Sequence, residues 1–259
     1  MRALEPGAPA LLRLGLIAIV GLIAGAQNSL AGGGSFLTFP VLLLSGLGSR
    51  AANITSAVAL FPGQLATGYA SRGAVAGLPS LGVRTLFLIS LAGGALGALL
   101  LLATPSDFFT RLVPWLVLFA TLLFAWGSFV RDPTSARQRL GTAAAVIVQL
   151  VIAVYGGYFG GGISILMLAT LTMSGWSVRA AWATKNLLAA VMNAAAVLIF
   201  AFSHAVSWRE ACALGGGAIL GGQLGAYAFH RVNEKALQIC ITLLGAALAV
   251  GLFWRAHGA

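Results

Sequence analysis

The stretch "AQNSLAGGGSFLTFPVLLLSGLGSRAANITSA", residues Ala26 to Ala57, decides the fold. Three consecutive glycines, Gly32, Gly33 and Gly34, and then Pro40 interrupt a run that is otherwise apolar enough to sit in lipid. No water satisfies a freed N–H or C=O in a bilayer interior, so a broken helix persists there only where it is buried in protein or lines a polar cavity. Two expectations follow: the chain is embedded in a membrane, and the break serves a site.

Composition supports the first. Of 259 residues, 59% are hydrophobic and only 8% charged, and the mean hydropathy is +0.97. That leaves too little polar surface to cover a soluble globule of this length. The predicted fold class is an all-α integral membrane protein. Segments near the roughly 20 residues needed to cross the hydrocarbon run over 12–31, 53–71, 82–103, 112–130, 140–158, 181–202, 208–229 and 236–254, which makes about eight transmembrane helices. Two apolar pieces, 36–47 and 163–174, are shorter and each follows a glycine cluster. They read as re-entrant or half-membrane helices. Ala24-Gly25-Ala26 also matches a signal-peptide cleavage pattern, but the apolar sequence continues past it and 140–158 repeats the same architecture far from either end.

The net charge of +10 comes from 15 Arg and Lys against 5 acids. Because the basic residues are scattered singly through short loops, they read as cytoplasmic loop charge and exclude a nucleic-acid-binding face. Orientation stays open. Nine basic residues share a side with the termini against six opposite if the short pieces return, and the same split places the termini outside if those pieces cross. Cys212 and Cys240 lie in late apolar helices and read as packing residues. Trp115, Trp176, Trp182, Trp208 and Trp254 sit near segment ends, as an interfacial aromatic belt does.

An internal repeat is the most informative pattern. "SLAGGGSFLTFPVLLLSGLGSRAANITSAVAL" aligns with "GYFGGGISILMLATLTMSGWSVRAAWATKNLL", superposing Gly32–Gly34 on Gly160, Gly161 and Gly162, Ser45-Gly46 on Ser174-Gly175, and Arg50-Ala51-Ala52 on Arg179-Ala180-Ala181 after one insertion. Farther on, "GGALGA" at 93–98 falls on "GGQLGA" at 221–226. The chain divides into a first transmembrane repeat at 1–130, with residues 1–11 as a terminal tail, a polar linker at 131–139, and a second repeat at 140–259. Paired repeats with helices broken in matching places point to a secondary transporter whose site lies near the bilayer midplane. A half-helix after each break offers N–H groups and a positive dipole end to an anion.

Polar residues after the breaks extend the pattern. Asn53, Ser56, Gln64 and Thr67 fall roughly on one face of a helix. The partner helix carries Thr184, Lys185, Asn186 and Asn193, with Ser56 aligned on Lys185 and Gln64 on Asn193. An ammonium a few residues inside an apolar segment marks a substrate or ion path. The five acids, Glu5, Asp107, Asp132, Glu210 and Glu234, all lie in tails, loops or segment ends. With no carboxylate to meet Lys185, or the supporting basic residues Arg50 and Arg179, the expected partner is an anionic substrate. The candidate substrate site is therefore Gly32, Gly33, Gly34, Asn53, Ser56 and Gln64 with Gly160, Gly161, Gly162, Thr184, Lys185, Asn186 and Asn193.

The glycine cluster before a short apolar piece, the Arg-Ala-Ala start of the next helix and the duplication of both resemble the sulfite exporter TauE/SafE family, also called the 4-toluene sulfonate uptake permease family. The resemblance covers about residues 14 to 254. It implies a multi-pass permease of the bacterial inner membrane that carries sulfite, sulfonates or related anions and holds no cofactor. Direction of transport does not follow from it. The second half departs from the pattern, since no proline matches Pro40 and Trp182 stands where the first half has Asn53. An anion channel would use the same glycines and basic residues. An enzyme would need a catalytic cluster, whereas His204, His230 and His257 are far apart and no metal-ligand spacing accompanies them. A homodimer is compatible with the sequence.

Overall fold

The computed structural model describes residues 9–30, 33–75, 82–130, 141–173, 176–228 and 234–257. Within them the chain folds into helices: α1 (Ala10–Leu30), α2 (Ser35–Leu44), α3 (Ser49–Ser71), α4 (Val83–Ala103), α5 (Ser106–Ala125), α6 (Thr142–Tyr158), α7 (Ile163–Met173), α8 (Val178–Ala201), α9 (Trp208–Ala228) and α10 (Glu234–His257). A 3₁₀ turn at Arg72–Ala74 extends α3, and a π turn at Trp126–Val130 extends α5. Each apolar segment marked in the sequence is thus a helix, and the two short pieces are α2 and α7. The linker at 131–139 lies outside the described residues, as do Ser174 and Gly175.

Among the described residues, four helices, over Ala10–Asn28, Val83–Ala103, Ser106–Val130 and Ala180–Ala201, are long and apolar enough to cross a membrane. Shorter apolar helices cover Ser35–Leu44, Thr142–Tyr158, Ile163–Thr172 and Gln238–Trp254. Leu11, Leu99, Leu122, Ile147, Leu198 and Leu243 project from the outer faces, which suits lipid rather than water as the surrounding solvent. Cys212 and Cys240 belong to those exposed faces and not to the core. A lipid-facing surface is as apolar as an interior, so hydrophobic setting alone does not bury a cysteine. Trp115, Trp182, Trp208 and Trp254 are likewise exposed, whereas Trp176 is buried.

Helix pairing follows a regular scheme. The most extensive contact joins α1 to α9 and the next joins α4 to α6; α3 packs on both α8 and α9, α4 on α8, and α5 on α10. Each short helix packs on the helix after it, α2 on α3 and α7 on α8. Small residues allow the closest of these approaches. A Cβ on Gly221 of α9 would overlap the Leu22 carbonyl of α1, and one on Gly97 of α4 would overlap the Val154 carbonyl of α6. The core beneath these crossings is apolar, with Ile17, Leu42, Ile54, Leu101, Phe109 and Leu214 fully enclosed in one cluster and Met167, Leu188 and Met192 in another.

The glycines, not the proline, break the chain. Pro40 lies inside α2, which continues through it to Leu44. Its missing N–H removes a single turn's hydrogen bond, and the helix tolerates that. By contrast Gly33, Gly46, Gly160 and Gly162 adopt φ of 81°, 95°, 80° and 74°, a left-handed region that costs residues bearing a Cβ about 1–2 kcal/mol. Gly160 ends α6, its N–H donating to the Tyr155 carbonyl at 3.2 Å, as an αL cap does.

Candidate functional site

The two breaks meet. Gly33, which precedes α2, and Gly160 and Gly162, which precede α7, line one cavity of about 60 Å³ with Gln64 of α3 and Lys185 and Asn186 of α8. A water needs roughly 10–15 Å³ of such space, so the cavity has room for a small anion or a few waters. Ser35 and Ser164, in the first turns of α2 and α7, line the same space. The first N–H groups of a helix have no intrahelical acceptor, and the aligned peptide dipoles add positive potential there. Two helix starts therefore converge on one small polar chamber.

Lys185 supplies its formal charge. The residue is 8% exposed, so it does not reach out to the protein surface. Its Nζ stands 5.9 Å from the centre of the Trp182 ring, at the outer reach of a cation–π contact. The ion pair found among the described residues, Arg13 with Glu210 at 3.3 Å, involves neither Lys185 nor any cavity residue. The Asn186 Nδ2 is buried without a hydrogen-bond acceptor. The chamber wall thus presents an ammonium, an amide N–H without an acceptor and two helix starts.

The remaining residues expected at the site have other places. Asn193 does not line the cavity; its Nδ2 donates to the Oε1 of Gln64, which does. Asn53 Nδ2 donates to the Tyr158 carbonyl at 3.0 Å, closing the last turn of α6. Ser56 shares a hydrogen bond with Thr38 where α3 meets α2. Thr184 is fully buried and outside the cavity lining. Gly34 starts α2 in ordinary helical geometry, and Gly161 packs against Phe159 and Ala120. The conformational demand in the second triplet thus falls on Gly160 and Gly162, where the repeat alignment points to Gly161 as the partner of Gly33. Arg50 donates to the carbonyls of Thr104 at 2.8 Å and Leu102 at 3.4 Å, so it caps the C-terminus of α4 and lies away from the chamber. Gly32 and the side chain of Arg179 lie outside the described residues.

Sequence reasoning passed over Asn28, Ser35, Ser164 and Phe124 as lining residues. The two serines carried a signal: each follows a glycine triplet within two residues, in "GGGS" and "GGGIS". Asn28, five positions before Gly33, also lines a second, larger cleft of about 450 Å³ beside Thr67, Pro62 and Trp182. Asn28 and Thr67 are common to both spaces.

A bundle of apolar helices that encloses a polar chamber between two helix breaks is the build of a membrane transporter. The chain belongs to the sulfite exporter TauE/SafE family, whose sequence model matches residues 17–252. It is similar to the probable membrane transporter protein YfcA of Escherichia coli K12, 28% identical over 249 residues that cover 95% of this chain and 92% of that protein. The probable membrane transporter protein ORF9 of a Sinorhizobium species is 30% identical over 242 residues, 92% of either chain. A probable membrane transporter protein of Haemophilus influenzae is 27% identical over 215 residues, 82% of this chain and 84% of its own. No solved structure matches the chain at a significant level. The protein is therefore a multi-pass membrane transporter.

Proposed function

We propose that this transporter carries small sulfur-containing anions, sulfite or an organosulfonate, across a bacterial inner membrane, binding them in the chamber between the two glycine breaks. The observation that carries the reading is Lys185, buried in the chamber wall beside two helix starts, with no carboxylate paired to it among the described residues. A buried ammonium without a counter-ion is costly, and an anion that fills the chamber removes that cost. The family's name associates it with sulfite export, which agrees in charge and size.

In this reading the chain is two copies of one unit, 1–130 and 140–259, and it crosses the bilayer eight times while α2 and α7 enter without spanning. The helix contacts support the duplication. Under the sequence alignment α1 corresponds to α6 and α4 to α9, so the α1–α9 and α4–α6 contacts are equivalents, as are α3–α9 and α4–α8. Gln64 and Asn193, aligned in the repeats, meet each other, as residues near a two-fold axis do.

The deciding experiment is a calorimetric titration of purified protein with sulfite and with methanesulfonate. Lys185→Met should weaken the tighter of the two by tenfold or more, the equivalent of about 1.4 kcal/mol, since hydrogen bonds to charged groups contribute roughly 1.5–3 kcal/mol. Lys185→Arg should retain part of the affinity, because it keeps the charge but not the compact shape. Parental affinity in a folded Lys185→Met protein would overturn the proposal. A channel differs in one measurement, since only a carrier shows faster flux when anion is present on the far side.

A further inference from the structure

We propose that Met192 is a closed gate on one side of the anion chamber, and that the cleft beside Asn28 and Thr67 is the equivalent passage standing open on the other side. This rests on the reading of the chain as a duplicated carrier and deepens it.

The cleft is lined by Asn28 of α1, Gly63 of α3 and Gly222 of α9. The repeat alignment, continued along each helix, carries these three onto Gly156 of α6, Met192 of α8 and Gly94 of α4. The second set is packed shut. A Cβ on Gly94 would overlap the Met192 carbonyl, and one on Gly156 would overlap the Met192 sulfur. In the first set a Cβ on Gly63 would meet nothing within 4 Å, and one on Gly222 would meet only the Gly25 carbonyl oxygen, at 3.8 Å. Burial follows the same division. Gly25, Thr67 and Ser71 also line the cleft, whereas their counterparts Ala153, Ala196 and Phe200 are at most 1% exposed and Met192 is fully buried.

The two places lead toward opposite ends of the bundle. Gly68 of α3 lies against Asn186 and Ala190 of α8, Gln64 meets Asn193, and Thr55 accepts from the Ser207 N–H at 3.1 Å, so α3 and α8 run antiparallel. The cleft extends along α3 from Leu60 to its end at Ser71, and the packed counterpart extends along α8 toward Phe200, near the end of that helix. The chamber borders the cleft through Asn28 and Thr67, which line both. A carrier shows its site to one face at a time by moving one repeat against the other, and this arrangement is open on one side and sealed on the other. Methionine suits the seal. Its unbranched, flexible side chain adapts to irregular spaces, and the glycines opposite it carry no side chain to close the gap once α8 draws it away.

Liposomes holding the purified protein test this. Uptake of labelled methanesulfonate and of labelled sulfite is measured with and without unlabelled anion inside, for the parent, Met192→Ala, Met192→Leu, Gly63→Ala and Gly63→Met, each checked for a single size-exclusion peak. The parent should take up anion faster when anion is present inside. Met192→Ala removes the seal, so that acceleration should be lost and uptake without internal anion should rise, while Met192→Leu, close in volume, keeps the parental behaviour. Gly63→Met fills the cleft and should reduce uptake to that of protein-free liposomes, while Gly63→Ala still transports. Parental acceleration in Met192→Ala, or parental uptake by Gly63→Met, would overturn the inference and leave the carrier reading standing. A parent that shows no acceleration with either anion sinks the carrier reading itself, and this inference with it. If Met192→Ala does not fold, the two Gly63 variants decide the matter by the same outcomes.

Discussion

Asn53, at the start of α3, donates its side-chain N–H to the main-chain carbonyl of Tyr158, at the end of α6, over 3.0 Å and across 105 residues of sequence. Tyr158 is the last residue of α6, two positions before Gly160 of the second break, and Asn53 follows the first break. The bond therefore ties the helix leaving one break to the helix entering the other. Tyr158 is anchored at its other end too, its hydroxyl donating to the Thr104 hydroxyl at 3.3 Å. Asn53 is a bracket for the chamber and not one of its walls.

Asn53→Leu should accordingly destabilise the protein by about 1–3 kcal/mol, the cost of leaving a partly buried carbonyl without its donor, while saturating anion still binds. Thermal unfolding in detergent and calorimetry on the same preparation measure the two effects. An unchanged melting curve together with lost binding would mean that Asn53 contacts the anion directly.

Gly160 permits a test of the break that is free of crowding. An added Cβ would meet only the Gly156 carbonyl oxygen, at 3.2 Å, so the residue's φ of 80° is the main obstacle to substitution. Gly160→Ala should cost about 1–2 kcal/mol, and Gly160→Asn should recover part of it because asparagine tolerates the left-handed region. Equal melting temperatures for parent and Gly160→Ala would contradict the assignment of the strain.

The helix seams make a sharper demand. Gly221→Ala would drive a methyl group into the Leu22 carbonyl, and overpacking of this kind costs typically 1–3 kcal/mol. Gly216→Ala, five residues away on the same helix with open space at its Cβ, should be neutral or stabilising by up to about 1 kcal/mol, since alanine is the better helix former. The pair is read from the yield of folded protein and its melting temperature. Similar behaviour of the two variants would argue against a close α1–α9 seam.

Arg50 separates capping from binding. Arg50→Gln removes donors from the Leu102 and Thr104 carbonyls and should lower stability by about 1–2 kcal/mol, with anion affinity held within twofold of the parent. A tenfold loss of affinity without loss of stability would return Arg50 to the site.

The fold and the broad function were legible in the chain itself because they rest on composition and local pattern. A run of some 20 apolar residues has few alternatives to a helix in lipid, so α1, α4 and α5 could be marked from their own residues, and the glycine triplets announced their breaks before any contact was known. The chamber was legible in part. Lys185, Gln64 and Asn186 stood out as polar residues in apolar helices, and they do meet there. What a one-dimensional reading lacks is the partner of each side chain. Asn53, Ser56 and Asn193 carry the same kinds of donor as the chamber residues, yet α6, α2 and Gln64 take up their hydrogen bonds. Arg50 and Lys185 are both cations near helix starts, but a helix C-terminus engages only the first. Which glycine of a triplet turns left-handed depends on where α6 ends and α7 must begin, and that is settled by helices packing around the break and not by the triplet. Polarity and periodicity are properties of a segment, so sequence determines them; whether a buried donor finds an acceptor in the protein or waits for a ligand is a property of the assembled bundle.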